Sequence, residues 1–240
     1  MPSSPSGRAE ALRAVPFAHR GLHGSGAVEN SRAAFEAAIA RGHGIELDVQ
    51  ISRDGEAMVF HDWRLERLTE DAGPVKCFTA MALGGIRLRN SSETIPTLVE
   101  VLRLVAGRVP LLIEVKWRGR RGKRPGRAVQ RALRGYRGAV GVMSFNPSVG
   151  GWLARNEPDI LRGLVVSEEK KRTLRGAIER RLGLLRARPD FLAYDVRDLS
   201  SRFAAAARTR GLPVLTWTVR SDADRARAAA HADQIIYEEA

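Results

Sequence analysis

Short apolar segments alternate with helix-like stretches along almost the whole chain, and this alternation constrains the fold more than any other feature. Each run is rich in Val, Ile, Leu or aromatic residues, as are strands buried on both faces of a parallel sheet. The runs are VPFAH from Val15, GIELDVQI from Gly44, VPLLIEVK from Val109, AVGVMSF from Ala139, RGLVVS from Arg162, DFLAYDV from Asp190, PVLTWTV from Pro213 and DQIIY from Asp233. Strands and helices in this order predict an α/β fold, a (β/α)₈ TIM barrel.

The stretches between the apolar runs carry helix boundary signals. NSRAAFEAAIARG opens with Asn30 or Ser31 as a cap and stops at Gly42, and the other stretches follow the same plan. A doubly wound open sheet is the alternative fold. No G-x-G-x-x-G segment follows the first strand, so the dinucleotide-binding form of that fold lacks its signature.

Two regions depart from the alternation. Residues 1–13 are rich in Pro, Ser, Gly and Arg and are predicted to form a flexible N-terminal arm. GEAMVFHD, from Gly55, is an extra extended segment that could pair with the second strand as a hairpin, and residues 63–96 have Gly and Pro breaks. We therefore predict one barrel domain over residues 14–240, with a small insertion after the second strand at about residues 63–96.

Charged residues interrupt the apolar runs near the strand ends at which barrel enzymes build their active sites. Residues two apart on a strand share one face, and two strands carry charged pairs at that spacing. The pairs are Glu46 with Asp48 and Glu114 with Lys116. We expect these four side chains to point into the barrel mouth.

Three carboxylates brought together in an apolar setting repel one another strongly. Either their pKa values rise or a cation lies among them. A hard divalent ion such as Mg²⁺ or Ca²⁺, bound by oxygen ligands, would resolve the repulsion, and buried ion pairs with arginine are the alternative. Glu46, Asp48 and Glu114 are therefore candidate metal ligands.

Two histidines stand at ends of predicted extended segments. His19 follows the first strand, and His61 closes GEAMVFHD just before Asp62. Imidazole exchanges protons near neutral pH, so both are candidates for acid–base catalysis. We expect Asp62 to orient a neighbour rather than to react.

These motifs, in this order, resemble the glycerophosphodiester phosphodiesterase (GDPD) family. The resemblance extends from about Phe17 to Ile236, and its segments are AHRG, ENSRAAFEAAIARG, IELDVQISRDGEAMVFHD, LERLT, IPTLVEVL, LLIEVK, SFNP and LTWTV. Four motifs carry the resemblance: the His-Arg-Gly turn, the Glu-x-Asp strand, the His-Asp ending and the Glu-x-Lys strand. Each alone is weak evidence for the family, whereas their combination is specific. The resemblance implies a (β/α)₈ barrel that hydrolyses glycerol phosphodiesters to glycerol 3-phosphate and an alcohol.

The resemblance also implies roles for individual residues. It makes Glu46, Asp48 and Glu114 the ligands of a divalent metal ion, and His19 and His61 the general acid–base pair. It does not say which histidine is the base, or whether the nucleophile is water or the glycerol hydroxyl next to the ester.

Further positions match the family's substrate contacts. Arg20 and Lys116 match residues that contact the phosphate. Trp217 has a family position that suggests a wall facing the substrate, and Phe145 ends another strand, where it could serve as wall or as core.

The sequence departs from the family pattern at a few positions. Val28 stands where proline is usual, and Ser31 replaces threonine. Tyr237 and Glu238 replace an Ile-Ile-Thr-Asp-like ending of the last strand, so the fit of a substrate at that part of the mouth differs from the family's.

The formal net charge of +13 bears on partners. Such a surface can bind phosphate, nucleic acid or anionic lipid, although a compositional bias of the source genome explains it equally. KWRGRRGKRPGR, from Lys116, is expected to be a solvated loop, an anion-steering loop or a lipid-docking loop. EEKKRTLRGAIERRLGLLRARP, from Glu168, is expected to be a barrel helix with a basic outer face, which could bind an anionic membrane surface.

The competing functions belong to two classes. The enzymatic alternative is a phospholipase D-like hydrolase that acts on a lysophospholipid or phospholipid. The non-enzymatic alternative is a phosphate- or nucleic-acid-binding module. Nucleic acid is disfavoured as a partner because the acidic cluster repels a polyanion and no basic patch is interleaved with aromatic residues.

The location in the cell is predicted from three features. Cys77 is the single cysteine, which rules out an intramolecular disulfide and a cysteine metal cluster. The N-terminal segment lacks the apolar core of a signal peptide, and no apolar run approaches the roughly 20 residues that span a bilayer. We expect a cytoplasmic protein, with peripheral membrane association as an alternative; the oligomeric state is left open.

Overall fold

A closed barrel of parallel strands forms the centre of the computed structural model, which describes residues 10, 12–24, 26–169 and 172–239. The strands are β1 (Phe17–His19), β2 (Gly44–Ile51), β3 (Ala57–Val59), β4 (Leu111–Val115), β5 (Val140–Ser144), β6 (Leu161–Val166), β7 (Phe191–Asp195), β8 (Val214–Val219) and β9 (Gln234–Tyr237). β1 pairs in parallel with β2 on one side and with β9 on the other, so the sheet closes on itself. The predicted (β/α)₈ barrel is confirmed, and the open sheet is wrong because β1 joins the two ends.

Helices connect the barrel strands. They are α1 (Arg32–Ala40), α2 (Ala80–Gly85), α3 (Leu98–Val105), α4 (Lys123–Leu133), α5 (Pro147–Asn156), α6 (Leu174–Ala187), α7 (Arg202–Thr209) and α8 (Asp222–His231). Ser31 caps α1 through its side chain, and Thr97 with Glu100 forms a capping box at α3. These contacts satisfy backbone N–H groups that a helix start leaves without partners.

Helix α4 begins inside the basic tract at residues 116–127, which the sequence suggested as a loop. Pro125 lies in the first turn, where its missing N–H is not needed. Gly126 fits because a Cβ there would lie 2.1 Å from Cε3 of Trp152 on α5. Proline and glycine oppose a helix by local propensity, whereas the first turn and the packed neighbour accept them.

The buried apolar residues of the barrel form two separate clusters. The larger cluster lies between barrel and helices, and a smaller cluster includes Phe17, Leu112, Phe191 and Leu215. Leu12 belongs to the smaller cluster although it falls in the stretch predicted as a flexible arm. Residues 1–9 and 11 of that predicted arm lie outside the described residues.

The insertion after β2 has a small core of its own. β3 pairs antiparallel with β2, with Val59 opposite Val49, as the expected hairpin requires. A short 3₁₀ turn, Val75–Cys77, and helix α2 follow within the insertion. Its core packs against β3, and it consists of Met58, Phe60, Leu65, Val75, Leu83, Ile86, Leu88 and Ile95. The start of the insertion, from Trp63 to Arg67, shares a cleft with His61 and Lys116.

In the part of the chain that the structure describes, no helix has both the length and the apolar character to cross a membrane. Helix α6 has 14 residues, against the roughly 20 that a spanning helix needs.

Candidate active site

Strand register and strand spacing bring the three predicted metal ligands together on one face of the sheet. Asp48 on β2 is the direct neighbour of Glu114 on β4, and Glu46 lies two residues before Asp48 on the same face. One carboxylate oxygen from each of the three lies within 4.8 Å of the others, and all three residues are buried. The spacing argument from the sequence therefore holds for their placement.

Burial and the neighbouring charges shift the pKa values of the three carboxyl groups in different directions. Burial raises the pKa of Glu46 well above its ordinary value, and repulsion from Asp48 and Glu114 raises it further. Burial also raises the pKa of Glu114, against the attraction of Lys116. For Asp48, burial would raise the pKa, but Lys116 and Arg20 outweigh it and hold the pKa well below the usual range.

Each of the three carboxylates has a buried oxygen that no hydrogen bond satisfies: Glu46 Oε1, Asp48 Oδ1 and Glu114 Oε1. Lys116 Nζ forms ion pairs with two of these atoms, at 3.0 Å from Asp48 Oδ1 and 2.7 Å from Glu114 Oε1. Glu46 Oε1 has neither a hydrogen bond nor an ion pair among the described residues. A buried polar atom without a partner is costly, and a hard divalent cation is a partner that fits such an oxygen. The residues present thus fit a metal ion.

The remaining oxygens of the cluster are held by β1 and the turn after it. The backbone N–H of Arg20 donates to Glu46 Oε2 at 3.1 Å, and Arg20 Nε lies 3.2 Å from Asp48 Oδ2. Asn30 donates from Nδ2 to Asp48 Oδ2 at 3.1 Å and accepts the N–H of Asp48 at 3.2 Å. Fixing one oxygen of Glu46 and of Asp48 orients the other oxygen toward the shared site.

His19 lies at the end of β1 with both ring nitrogens beside carboxylates. Nδ1 lies 2.5 Å from Glu238 Oε1, and Nε2 lies 3.8 Å from Glu46 Oε2. Burial lowers the pKa of His19 despite the Glu238 contact, so the neutral ring is favoured at neutral pH. A neutral ring that donates Nδ1–H to Glu238 keeps Nε2 as its proton acceptor.

Glu238 stays ionised in this position. Burial would raise its pKa, but hydrogen bonds with His19, His23 and Arg220 outweigh burial and lower the pKa strongly. Arg220 Nε lies 2.5 Å from Glu238 Oε2 on the side away from His19. The side chain therefore presents a fixed negative charge to the Nδ1–H of His19.

His61 has a similar arrangement at the end of the hairpin. Its Nδ1 lies 2.7 Å from Asp62 Oδ1, and Arg67 of the insertion contacts both oxygens of Asp62. Burial lowers the pKa of His61, with Asp48 opposing that shift. Asp62 thus orients a neighbour, as the sequence suggested.

A chain of ion pairs links the two sides of the mouth. Arg67 contacts Glu29 as well as Asp62, and Glu29 Oε1 accepts from Arg20 Nη1 at 2.8 Å. Arg20 has a φ of 57°, in the left-handed region, at the point where the chain turns after β1. Glu29 and Arg67 were not identified from the sequence, because neither lies on a strand end.

The predicted substrate contacts line one cleft. A cavity of about 610 Å³ is bounded by the two histidines, the two predicted phosphate contacts and the aromatic pair Phe145 and Trp217. The pair is edge-to-face with ring centroids 5.5 Å apart, and Lys116 Nζ lies 6.0 Å from the Phe145 centroid. Phe145 is 47 % exposed, whereas the Trp217 indole donates to the Ala193 carbonyl at 2.9 Å. Phe145 is therefore a wall residue, and Trp217 is anchored in the barrel beside it.

Sequence reasoning identified the cluster and both histidines but gave no role to Asn30 beyond capping, to Glu238 as the partner of His19, or to Arg220 as the partner of Glu238. Glu238 carried a signal, since it departs from the family's usual strand ending. Asn30 carried no such signal, because its αL backbone and its contacts with Asp48 are known only from the structure.

Comparison with known proteins places these residues in context. The sequence pattern of the glycerophosphoryl diester phosphodiesterase family matches residues 19–239. A glycerophosphodiester phosphodiesterase of Bacillus altitudinis is 40 % identical over 117 residues, 46 % of this chain and 47 % of that protein. A glycerophosphodiester phosphodiesterase of Caldanaerobacter subterraneus is 39 % identical over 113 residues, 44 % of this chain and 46 % of that protein. The chain thus spans about half the length of the curated relatives it matches.

The fold also matches solved structures. One is a phosphodiesterase of Oleispira antarctica in complex with the product sn-glycerol-3-phosphate, with a TM-score of 0.82 and 23 % identity. The match covers 95 % of this chain and 94 % of that chain. At this identity the likeness shows a shared fold.

Proposed function

This chain belongs to the glycerophosphoryl diester phosphodiesterase family, and from that premise we propose that it hydrolyses glycerophosphodiesters to glycerol 3-phosphate and an alcohol with the help of a divalent metal ion. The single observation that carries the proposal is the cluster of three buried carboxylates, in which Glu46 Oε1 has no partner, in one mouth with two histidines that are each hydrogen-bonded to a carboxylate.

Glu46, Asp48 and Glu114 would hold the metal ion, for which Mg²⁺ and Ca²⁺ are the expected choices. When bound, such an ion neutralises part of the phosphodiester charge, which an approaching nucleophile would otherwise meet as repulsion. Lys116 would gain room to turn toward a phosphate oxygen, because the ion takes over its role in balancing Asp48 and Glu114.

Arg20 and Lys116 would orient the phosphate. The nearby carboxylates raise the pKa of Arg20 and of Lys116 against the effect of burial, so both stay protonated. Both line the cleft, where their positive charges can meet phosphate oxygens.

His19 and His61 would move the protons. One ring, neutral at the start, takes a proton from the nucleophile, and the other, which must start as an imidazolium, gives its Nε2 proton to the alkoxide that leaves when the P–O bond breaks. With Nδ1 of each ring bonded to a carboxylate, Nε2 is the nitrogen left for this exchange. Either water attacks directly, or the neighbouring glycerol hydroxyl attacks and water then opens the cyclic phosphate; both routes consume one water overall.

The test is release of glycerol 3-phosphate from glycerophosphocholine by the purified protein, before and after exhaustive chelation and after reloading with Mg²⁺, Ca²⁺ or Mn²⁺. We expect activity to vanish on chelation and return with at least one ion. Glu114→Gln should weaken metal binding measured by calorimetry, with the exposed Glu239→Gln as control. Full activity after chelation would remove the metal from the mechanism.

The same assay separates the alternatives. Hydrolysis of lysophospholipid without hydrolysis of glycerophosphocholine would favour the alternative function, a phospholipase D-like hydrolase. Binding of phosphodiesters without turnover under every metal condition would favour a non-enzymatic module.

Two further predictions from the sequence stay predictions. A single catalytic domain over residues 14–240 should resist limited proteolysis as one fragment. The cytoplasmic location should place the protein in the cytoplasmic fraction of its source cells.

A further inference from the structure

Helix α6 turns an apolar stripe toward solvent. Leu174, Ile178, Leu182 and Leu185 follow one another at helical spacing, and they are 80, 49, 58 and 74 % exposed. In a helix these positions fall within one sector of the surface. The sequence predicted a basic outer face for this helix, and the structure adds an apolar one. Lys170 and Lys171 of that predicted stretch lie outside the described residues.

Arginines flank the stripe on both sides. Arg181 borders one edge, and Arg175 and Arg186 border the other; all three are exposed. Glu179 is the one acidic residue on the described exposed face of α6, and it is paired with Arg175 at 3.2 Å. An apolar sector between arginines whose apolar stems can lie along a surface is typical of helices that lie on anionic bilayers.

The surface beside the stripe continues this pattern. A groove of about 970 Å³ separates α6 from α7, and Leu174 and Leu185 form part of its wall. Arg202 at the start of α7 and Arg210 just after its end line this groove and are exposed.

The acidic groups in the groove are already neutralised. Glu168 lies 3.4 Å from Arg180, and Asp198 lies 2.9 Å from Arg172. The charge offered by this side of the barrel is therefore positive.

We infer that the stripe of α6, with its flanking arginines, docks the protein on an anionic lipid surface. A second copy of the chain is a poorer occupant, because two such faces bring the same arginines together on molecules of net charge +13. Anionic head groups neutralise the arginines while the leucines enter the interface. The inference does not depend on the proposed activity.

The position of the stripe relates it to the mouth. A cleft of about 340 Å³ is lined by Phe145 of the mouth and by Leu182 and Arg186 of α6. Helix α6 also begins at the end of the barrel where the active-site loops lie, because it follows β6. Docking through α6 would hold the mouth beside the lipid surface.

Co-sedimentation with vesicles tests the inference. The native protein should bind vesicles of phosphatidylglycerol and phosphatidylcholine and should not bind pure phosphatidylcholine. Replacing Leu174, Ile178, Leu182 and Leu185 together by Gln should lower the partition at least tenfold. Arg175→Gln and Arg181→Gln should each lower it about fivefold at low salt. Met81→Gln, an exposed apolar residue on α2, is the matched control and should bind as the native protein does.

Other outcomes would overturn the inference. If the native protein does not bind anionic vesicles, or if the quadruple Gln variant binds them as well as the native protein does, docking through α6 is ruled out. If the native protein is a dimer that does not bind vesicles and the quadruple variant is a monomer, the stripe is assigned to self-association. Circular dichroism and the melting temperature show whether the quadruple variant is folded. Vesicle binding is measured without turnover, so loss of the proposed activity does not affect this test.

Discussion

At the scale of single residues, the contact between His19 and Glu238 joins positions 219 residues apart in the sequence. Glu238 is not among the residues that line the cleft, so we expect it to affect the proposed reaction only through the orientation of His19. Glu238→Ala should lower kcat about 10- to 100-fold, the range for carboxylates that orient a functional histidine, and change KM little. Steady-state kinetics on a soluble glycerophosphodiester measure both.

Glu239→Ala is the matched control for this prediction. Glu239 is the next residue and pairs with Arg41 outside the mouth. It should keep native kinetics. Native kcat in Glu238→Ala, or an equal loss in both variants, would contradict the positioning role of Glu238.

The two histidines themselves should be indispensable. His19→Ala and His61→Ala should each lower kcat about 100-fold or more, the usual contribution of general acid–base catalysis. His231, exposed at the end of α8, serves as the control substitution. A melting temperature near the native one should accompany the loss for His61, which is partly exposed. Near-native turnover in either variant would remove that residue from the mechanism.

At the scale of elements, the basic tract after β4 divides into two parts with different roles. Arg118 lies over the Trp63 ring at 4.4 Å beside the mouth, and Arg120 and Arg121 are at or near the surface. Changing Arg118, Arg120 and Arg121 to Gln should leave kcat unchanged and lower kcat/KM at low salt. The difference should fade at high salt, because a Debye length of about 10 Å at 0.1 M screens long-range attraction.

The second part of the tract belongs to helix α4. Arg124 donates to the carbonyls of Ser52 and Arg53 at 2.9 Å and thereby ties α4 to the hairpin turn. Arg124→Gln should lower the melting temperature by a few degrees and leave the salt dependence of kcat/KM as in the native protein. A salt effect equal to that of the other three arginines would mean that the tract acts as one charged loop.

At the scale of the whole molecule, repulsion among the buried carboxylates is expected to lower the stability of the metal-free protein. Without a divalent ion, Glu46 is ionised above its raised pKa and repelled by its neighbours, and this penalty disappears as the pH falls and the carboxyl is protonated. A bound ion removes the same penalty. At 100 times its dissociation constant it should stabilise the fold by about 2.7 kcal/mol, or roughly 5–10 °C.

The Glu46→Gln variant tests whether the charge of Glu46 lowers stability without metal. The variant should melt at or above the native temperature without metal, because one buried charge is gone, and should gain less on metal addition. The metal-dependent gain of the native protein should be smaller at pH 5 than at pH 8, because protonation of the ligands competes with metal binding. Scanning calorimetry gives all these values, and a native melting temperature insensitive to millimolar Mg²⁺, Ca²⁺ and Mn²⁺ would contradict a metal centre here.

The sequence by itself determined the fold class and most of the candidate site. Strand and helix periodicities are local, because backbone geometry sets them, and they predicted the barrel. Residues two apart on a strand must share a face, so spacing places Glu46 on the face of Asp48 and Glu114 on the face of Lys116. The position of both pairs near strand ends then predicted that they lie at the mouth. Local spacing carries this information because it does not depend on which strands become neighbours.

Only the tertiary structure decided the contacts between residues that lie far apart in the sequence. Glu238 reaches His19 because β9 closes the barrel against β1, and Asn30 reaches Asp48 because the turn after β1 folds over β2. Helix α4 contains Gly126 because Trp152 of neighbouring α5 leaves no room for a side chain there, whereas Pro125 is tolerated in the first turn. The apolar stripe of α6 faces solvent because its opposite face, with Gly176 and Gly183, packs on the barrel side. Burial and pairing of this kind depend on the complete set of packed neighbours, which no local pattern contains.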